Sequence, residues 1–366
     1  MKVAIVHDWL VQYGGAERVV EDILSIYPDA TIFTLVYDRK RMPARFRNYH
    51  IVTTYMQKWP FSTKLYKNFL TFMPKAFESL DLRGYDLVIS SCSSCSKGII
   101  TPVGAPHICY CHTPTRYIWD MYYEYRSHAG WLKRKLMPGM VHSMRLWDKA
   151  AADRVDYFVS NSDFIKQRIK KFYHRDAVTI YPGTRLNPKP ALEQPDDYYL
   201  VVSRFVYYKR IDLAVEACTK LGKKLVIIGS GDEAANLKKL AGSTIEFKGS
   251  LSDDEVQETF LHAKAFLFPG EEDFGLTPVE AESAGVPVLA YGKGGALETV
   301  QDGKTGLFFK EQTVESVMDC ISRFETNGVA YSRKAIQEYS KAFSQDVFRT
   351  QFKAYVDQCL AQWSGK

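Results

Sequence analysis

The feature that most constrains the fold is a repeated alternation of short apolar runs and amphipathic segments, which occurs twice along the 366 residues. The apolar runs have the length of buried strands, and residues at helical spacing follow most of them. Repeats of this kind predict parallel sheets covered by helices on both faces, so we predict an α/β protein. The predicted strands are 2–7, 31–36, 86–91, 107–112, 155–160 and 178–181, followed by 198–203, 224–229, 243–249, 263–268, 286–291 and 306–309.

A proline-rich stretch separates the two series. Residues 182–197, PGTRLNPKPALEQPDD, contain four prolines and no periodicity, which is typical of a linker. We therefore predict a doubly wound domain over 1–185, a second over 186–344, and a helix in 345–366 that packs back onto the first. Because ligands of such sheets bind at the carboxyl ends of the strands, both domains are expected to face a common cleft.

Charge is distributed unevenly along the chain. The formal net charge is +6, but residues 1–185 alone carry 27 Lys and Arg against 16 Asp and Glu. A basic half with interspersed aromatics indicates an anionic membrane surface or another anionic partner, or else a solvated basic face without a partner. Residues 55–77 are one candidate for membrane contact, although they equally fit a core-facing helix pair, and residues 116–149 are the other. No nucleic-acid partner is expected.

The cysteines and the apolar runs restrict the compartment. Seven cysteines, an odd number, mostly in apolar patterns, favour a reducing cytoplasm. No run of about 18 apolar residues is present, and the opening MKVAIVHDWL is interpreted as a strand and not as a signal peptide. One metal-like pattern occurs, Cys92-x2-Cys95 followed by Cys109-x-Cys111. We expect the last two thiols to face opposite sides of their strand, so no metal site is predicted.

The segment 268–285, FPGEEDFGLTPVEAESAG, carries the densest chemical pattern. We predict a helix whose N-cap is Thr277, with Glu280 in the first turn and Glu272 just before the helix. The start of a helix binds anions through its free amides. Glu280 also fits a capping box, whereas Glu272 has no capping role. Carboxylates beside an anion site suit hydroxyl groups, so a sugar attached to a diphosphate matches both features.

Four segments carry a family resemblance: VSRFVYYKRIDLAVEA, IIGSGDE, FPGEEDFGLTPVEAESAGVPVLAYGKGG and ICYCHTPTRYIWD. Together they resemble the retaining nucleotide-sugar glycosyltransferases of family 4. The opening HDWLVQYGGAERVVEDIL and the segment ESLDLRGYDLVISS resemble the mannosyltransferase-like branch that builds bacterial surface polysaccharides. The resemblance covers nearly the whole chain in the right order. It implies the GT-B fold, with two Rossmann-like domains, and a hexosyltransferase activity.

The resemblance also implies roles in binding the donor. In the family, the first glutamate of E-x7-E holds sugar hydroxyls and the second holds the ribose, which implies these roles for Glu272 and Glu280. Arg204 and Lys209 would neutralise the departing diphosphate. No D-x-D pair occurs in the chain, so two fixed cations would replace a metal clamp. The other predicted donor-binding residues are Gly15, Gly229, Gly231, Lys248, Phe274, Gly275, Leu276 and Thr277.

A second set of candidates lies in the first half. His112 ends an apolar strand and begins the HTP motif. A lone histidine is usually structural, but its strand-end position and the family match predict an active-site residue that polarises a donor-sugar hydroxyl or orients the acceptor. Arg116 is a weaker candidate because it could pair with Asp120 at helical spacing, and the Gly14-Gly15 pair could simply form a tight turn. The predicted acceptor-binding residues are Asp8, Gly14, Arg116 and Tyr117.

These features predict a retaining, metal-independent glycosyltransferase that uses a nucleotide sugar and no cofactor. The favoured reaction moves mannose from GDP-mannose to a lipid-linked saccharide, catalysed by a peripheral protein on the cytoplasmic face of the membrane. The alternatives are a UDP-sugar-dependent glycosyltransferase, a GT-B epimerase or phosphorylase, and a non-enzymatic nucleotide-sugar-binding protein. The oligomeric state stays open.

Overall fold

The computed structural model describes residues 1–326 and 331–364. The chain forms two compact units, Met1–Gly183 together with Asp346–Lys366, and Thr184–Gln345. Each unit contains one parallel sheet with helical crossovers, so the predicted α/β class with two doubly wound, Rossmann-like sheets is confirmed. The last two residues of the predicted segment 345–366 lie outside the described residues.

The described part of the first unit is built on seven strands. In chain order, β1 to β7 are Val3–His7, Thr31–Thr34, Ile51–Thr53, Leu87–Cys92, His107–Cys111, Tyr157–Ser160 and Ala177–Thr179. Its helices α1 to α6 are Gly15–Ile26, Ser62–Leu65, Met73–Glu78, Tyr122–Ser127, Trp131–Asp153 and Asp163–Tyr173. The strand order is β3-β2-β1-β4-β5-β6-β7, and every pair is parallel. The sequence did not predict β3, a three-residue edge strand.

The burial of β1 shows that both faces of the sheet are covered. Val3 and Ile5 belong to one hydrophobic cluster, whereas Ala4 and Val6 belong to another. Successive side chains of a strand point to opposite faces, so the two clusters lie on the two sides of the sheet. All five residues of β1 are buried, as expected for an inner strand of a parallel sheet.

The second unit repeats this architecture, with six strands among its described residues. Strands β8 to β13 are Tyr199–Val202, Leu225–Ile228, Ile245–Gly249, Ala265–Phe268, Val288–Tyr291 and Gly306–Phe309. Helices α7 to α13 are Ile211–Leu221, Ala234–Leu240, Asp253–His262, Leu276–Ser283, Ala296–Thr299, Val314–Thr326 and Arg333–Ser340. The strand order is β10-β9-β8-β11-β12-β13. Successive strands are therefore added on one side of β8 up to β10 and on its other side from β11 onward, so the strand order reverses between β8 and β11. In the first unit it reverses between β1 and β4.

The C-terminal helix α14, Gln345–Ser364, packs into the core of the first unit. Phe348 and Phe352 are buried in the hydrophobic cluster that contains Val3 and Ile5 of β1. Arg349 donates two hydrogen bonds to Oδ1 of the buried Asp22 on α1, at 3.0 and 2.7 Å. Apolar burial and this ion pair together hold the end of the chain on α1.

Residues 55–77 form neither a continuous amphipathic helix nor a helix pair. They contain a series of short pieces, the 3-10 helices Tyr55–Lys58 and Tyr66–Phe72 and the helices α2 and α3. Two backbone features interrupt the series: Phe61 has a left-handed conformation, with φ of 54°, and Phe69 has non-helical angles. Other 3-10 helices are Ala44–Asn48, Ser96–Gly98, Tyr207–Lys209 and Lys341–Phe343.

The cysteine prediction was wrong in its geometry. Cys92, Cys109 and Cys111 lie in one buried hydrophobic cluster, because residues two apart in a strand share a face. Burial raises the pKa of Cys92 and Cys109 well above the usual range, so both thiols are protonated. Among the residues described, no group of three or more His, Cys, Asp or Glu side chains is arranged to hold a metal ion.

Within the described part of the chain, no helix combines the length and the apolar character needed to cross a membrane.

Candidate functional site

The second unit brings two predicted loops together at one point of its sheet. Strands β8 and β11 are neighbours, although about 60 residues separate them along the chain. The loop after β8 contains Arg204 and Lys209, and the loop after β11 contains Glu272. Parallel sheets of this type bind ligands at the carboxyl ends of the strands where the strand order reverses. The structure therefore places these three side chains at the switch point of the sheet.

Lys209 and Glu272 form an ion pair across this switch point, between Nζ and Oε1. Their side chains are only 18% and 14% exposed, so the pair is partly shielded from water. Tyr208 connects the two predicted cations, because its hydroxyl accepts a 3.3 Å hydrogen bond from Arg204 and its ring lies 5.8 Å from Lys209 Nζ. We call Arg204, Tyr208, Lys209 and Glu272 the switch-point cluster.

Close backbone packing holds the two loops in place. A Cβ atom on Gly270 would lie 3.1 Å from Cα and from the carbonyl oxygen of Lys209, a tighter contact than ordinary packing. Gln312 donates a 2.8 Å hydrogen bond from Nε2 to the carbonyl oxygen of Pro269. The loop after β11 is thus fixed against the loop after β8 at the position of the ion pair.

A glycine pair after β12 supports Glu272 from the other side. The backbone carbonyl of Glu272 accepts a 2.9 Å hydrogen bond from the amide of Gly295. A Cβ atom on Gly294, where φ is +67°, would lie 2.4 Å from that same carbonyl oxygen. Only glycine fits at this approach, so these two residues fix the backbone position of Glu272.

Helix α10 starts earlier than predicted. Its N-cap is Gly275, with φ of 86°, and Leu276 is the first helical residue. Thr277 is therefore the second helical residue, so the predicted N-cap and capping box are wrong. The left-handed turn at Gly275 ends the loop abruptly, and Pro278 is tolerated at the third position because that amide has no intrahelical acceptor anyway. The first-turn amides of Leu276 and Thr277 stay at the helix start.

The other predicted residues of this segment are buried. Glu280 is 6% exposed in the middle of α10, and Phe274 is 3% exposed, with its ring 5.9 Å from that of Phe343. Any contact between Phe274 and a nucleotide sugar would therefore use the backbone of Phe274. Glu282 is fully buried two residues after Glu280, and burial raises its pKa well above the usual range, so that carboxyl is neutral.

The glycines after β9 allow that loop to pack beside the cluster. A Cβ atom on Gly229, with φ of +138°, would lie 1.8 Å from the Ser203 carbonyl oxygen. One on Gly231 would lie 2.4 Å from the carbonyl oxygen of Phe205. Both glycines thus shape the backbone next to Arg204. Lys248 is exposed in the edge strand β10, two strands from β8, so the structure does not bring it to the cluster.

In the first unit, Asp8 accepts hydrogen bonds from the turn after β4. Its Oδ1 accepts from the amides of Cys95 and Ser96 at 2.9 and 2.8 Å, and its Oδ2 accepts from Ser93, through the amide at 2.6 Å and the hydroxyl at 3.0 Å. Asp8 is 1% exposed. It holds the turn at the switch point between β1 and β4, and its acceptor-binding role stays a prediction.

Gly14 and Gly15 lie at the start of helix α1. Gly14 is the N-cap residue, and its amide donates a 2.9 Å hydrogen bond to Oε2 of Glu17. His112 directly follows β5, and its Nε2 lies 2.8 Å from the hydroxyl oxygen of Ser91. Its ring packs edge-on against that of Tyr110, at 5.2 Å between centroids.

The segment after His112 is anchored to the core of the first unit. The Tyr117 hydroxyl lies 2.6 Å from that of Ser94, and burial raises the pKa of Tyr117 well above its usual range. Arg116 reaches Sδ of Met121 at 3.9 Å through its guanidinium group. Asp120 forms an ion pair with Arg168 on α6.

Sequence reasoning missed several residues at these two places. For Tyr208, the only signal in the sequence is its position between two cationic residues. Gly294 and Gly295 end one of the segments that carry the family resemblance, but nothing in the sequence indicates their contact with Glu272. Gln312 and Ser91 gave no signal, because their partners are distant in sequence. The missed residues are Ser91, Tyr208, Gly294, Gly295 and Gln312.

Two family models match this chain, one for each sheet. Residues 13–187 match the family described as Glycosyltransferase Family 4, and residues 184–343 match Glycosyl transferases group 1. The two matches together extend from residue 13 to residue 343. With the doubly wound sheets and the switch-point cluster, they identify the chain as a member of the GT-B glycosyltransferases of these two groups.

Two curated proteins each match only part of the chain. A glycogen synthase of Pseudomonas savastanoi is 27% identical over 186 residues, which are 48% of this chain and 36% of that protein. A GDP-mannose-dependent alpha-(1-6)-phosphatidylinositol monomannoside mannosyltransferase of Mycobacterium tuberculosis is 34% identical over 139 residues, 33% of this chain and 36% of that one. The chain thus matches about a third of the length of these curated relatives.

Among solved structures, the Anabaena protein Alr3699/HepE in complex with UDP and glucose has the same fold. The TM-score is 0.73 at 16% identity, over 98% of this chain and 99% of that chain. The similarity extends to both sheets and supports the GT-B assignment.

Proposed function

We propose that this chain is a retaining, metal-independent glycosyltransferase that moves a hexose from a nucleotide sugar to a lipid-linked saccharide in polysaccharide assembly. The observation that carries the proposal is the Lys209–Glu272 ion pair, formed by two loops at the switch point of the second sheet. It combines a cation for phosphate with a carboxylate for hydroxyl groups.

The cluster suits a diphosphate that departs during the reaction. A diphosphate drawn to Lys209 competes with Glu272 for the ammonium group, which leaves the carboxylate to accept hydrogen bonds from sugar hydroxyls. Arg204 adds a second cation that is exposed and able to reach a ligand. The amides at the start of α10 offer further donors to phosphate oxygens. Groups of this kind stabilise negative charge as it develops on a leaving group.

The proposed step takes place on one face of the sugar. The bond between the anomeric carbon and the phosphate oxygen breaks, while a bond to the acceptor hydroxyl oxygen forms on the same face. The acceptor proton passes to the departing phosphate, whose charge Arg204 and Lys209 neutralise. This route retains the anomeric configuration and needs neither a protein nucleophile nor a metal ion.

Mannose from GDP-mannose is the favoured donor. The relative with 34% identity over its matched stretch is GDP-mannose-dependent, and the opening segments of the chain resemble mannosyltransferases. A UDP-sugar is the alternative donor, because the Anabaena protein of the same fold was solved with UDP and glucose. None of the contacts in the switch-point cluster reads the base.

A donor panel tests this function. Purified protein is incubated with GDP-mannose, UDP-glucose or UDP-N-acetylglucosamine, lipid-linked saccharide acceptors and a chelator. We expect transfer from GDP-mannose, undiminished by the chelator, and a product whose anomeric configuration matches the donor by NMR. Epimerised or hydrolysed donor without transfer would indicate an epimerase, and donor binding without any turnover would indicate a binding protein.

The exposed start of helix α5 supports contact with a membrane. Trp131 is 79% exposed, and Leu132 and Leu136 are more than half exposed. Lys133 and Lys135 alternate with these apolar side chains and are exposed too. Apolar and basic residues interleaved on one helix end suit an anionic lipid surface. The proposed location is the cytoplasmic face of the cell membrane.

Reversing two of these charges should release the protein from vesicles. Because each lysine near an anionic surface contributes about 1 kcal/mol, the double variant Lys133→Glu with Lys135→Glu is expected to bind phosphatidylglycerol vesicles at least about tenfold more weakly. Sedimentation with vesicles measures this effect. A matched control replaces Lys238 and Lys239, two exposed lysines on α8, by glutamate and should bind normally. Equal binding by both double variants would remove α5 as the contact.

A further inference from the structure

Four polar side chains of the first unit form a hydrogen-bonded chain that ends at His112. His7 on β1 pairs with Ser91 on β4 across the sheet, and His112 follows the next strand, β5. The His7 Nδ1 atom lies 3.1 Å from both the hydroxyl and the carbonyl oxygen of Ser91, and its Nε2 lies 3.4 Å from Oε1 of Glu17. The Ser91 hydroxyl lies 2.8 Å from Nε2 of His112.

The proton positions in this chain follow from what each atom can donate. A backbone carbonyl only accepts, so the His7 Nδ1 that faces the Ser91 carbonyl must carry a proton. The His7 Nε2 faces the carboxylate of Glu17, whose other oxygen accepts from the Gly14 amide. Burial lowers the pKa of His7, but the Glu17 carboxylate and the charge of Asp8 outweigh burial, so the pKa is raised.

The hydroxyl of Ser91 lies between His7 and His112, so the proton position on His7 affects the proton position on His112. The protonated Nδ1 of His7 cannot accept from this hydroxyl, so we infer that the hydroxyl donates its proton to the other ring nitrogen beside it, Nε2 of His112. A ring nitrogen that accepts a hydrogen bond is unprotonated, and the proton of a neutral imidazole then resides on the other nitrogen. His112 consequently carries its proton on Nδ1.

We propose that Glu17, His7 and Ser91 are positioning residues that lock His112 in the tautomer protonated at Nδ1. This inference rests on the proposed function and on the role predicted for His112 from the sequence, a contact with the substrate. In that tautomer His112 offers a fixed N–H donor to a substrate oxygen, and it is not the base that removes the acceptor proton. The role agrees with a step in which the departing phosphate takes that proton.

Burial supports a dedicated arrangement. His7 is 2% exposed, Glu17 4% and Ser91 fully buried. Buried polar groups of this kind cost stability unless they are fully hydrogen-bonded, and here every one of these three side chains contacts the next. His112 is only partly buried, which leaves part of its ring accessible.

NMR of protein labelled with ¹⁵N-histidine tests the tautomer without any assay of activity. With the signals assigned through the His112→Gln variant, we expect His112 to show a protonated Nδ1 and an unprotonated Nε2. Ser91→Ala should change this pattern, and Ser91→Thr, which keeps the hydroxyl, should restore it. A protonated Nε2 in the unaltered protein, or an unchanged pattern in Ser91→Ala, overturns the inference.

Kinetics then separate this inference from the proposed function. Loss of one orienting hydrogen bond in Ser91→Ala should lower kcat about tenfold with little change in the donor KM, and Ser91→Thr should recover most of it. Ser90→Ala is a matched control, because Ser90 makes an equally short 2.8 Å bond from the same strand to His107, whose pKa burial lowers to about 3. It should change neither kcat nor the His112 tautomer.

Failure of the role proposed for His112 and failure of the positioning inference give different experimental results. If His112→Gln retains full transfer while the tautomer behaves as expected, the proposed role of His112 is wrong and the hydrogen-bonded chain still stands. If Ser90→Ala lowers kcat as much as Ser91→Ala does, the effect is general destabilisation of β4 and the positioning role is overturned.

Discussion

Replacing Lys209 by alanine is expected to lower kcat about 10²- to 10³-fold, the range seen when one preorganised donor to a developing negative charge is removed. Lys209 is held at the switch point by the backbone contact with Gly270 and by its ion pair with Glu272, so it needs no reorganisation when charge develops. Stability should change by about 1 kcal/mol, because truncation opens the Glu272 carboxylate to water. Single-turnover measurements of sugar transfer at saturating donor measure the effect.

Controls make this prediction specific to the cluster. Glu272→Gln should have an effect of similar size, and the double variant should be scarcely worse than either single one, because residues that act as a unit are not additive. Lys220→Ala removes an exposed lysine of α7 that pairs loosely with Glu315, at 3.8 Å, and should leave kcat unchanged. A Lys209→Ala enzyme with near-normal kcat would exclude the proposed diphosphate site.

The largest loss of stability is expected from Asp148→Asn on α5. Asp148 is fully buried and accepts hydrogen bonds from the Thr115 hydroxyl at 3.1 Å, and from Trp119 Nε1 and the Tyr173 hydroxyl at 2.8 Å each. It also pairs with the buried Lys97. Burial lowers the pKa of Lys97, but the adjacent carboxylate outweighs this and raises it well above the usual range.

The amide of asparagine leaves the Lys97 ammonium buried without a counterion. Breaking a buried ion pair from one side costs about 3–5 kcal/mol, so the midpoint of urea unfolding should fall sharply. Asp153→Asn on the same helix is the control, because its pair with Lys149 is exposed and contributes about 0.5 kcal/mol or less. Similar midpoints for the two variants would show that the buried pair contributes no more than the exposed one.

The two predictions also differ in what they report about the site. Thr115 and Trp119 belong to the segment that follows His112, so Asp148 anchors a predicted functional segment to the core. Because asparagine keeps a side-chain oxygen that can accept from Thr115 and Trp119, Asp148→Asn should lower activity only in parallel with the folded fraction. Lys209→Ala should lower activity in a fully folded protein.

Much of the fold could be predicted because strands and helices are encoded locally. Apolar runs of strand length marked all strands except β3, which is too short and too partly buried to leave a pattern. Ser162 is a residue type favoured at N-caps and directly precedes α6, where its hydroxyl accepts from the Ile165 amide at 3.1 Å. The start of α10 was misplaced at Thr277, because a left-handed glycine and its close approach to the Phe268 ring fix that end through contacts outside the helix.

By itself, the sequence determined the two series of strands and helices and the position of the main candidates, Arg204, Lys209, Glu272 and His112, in segments that follow strands. Only the tertiary structure decided which of these positions meet. Lys209 contacts Glu272 because β8 and β11 are neighbours, and His7 reaches His112 through Ser91 because β1, β4 and β5 are adjacent. The physical reason is that local patterns specify a strand and its buried faces, whereas the order of strands in a sheet depends on crossovers that pack distant segments together.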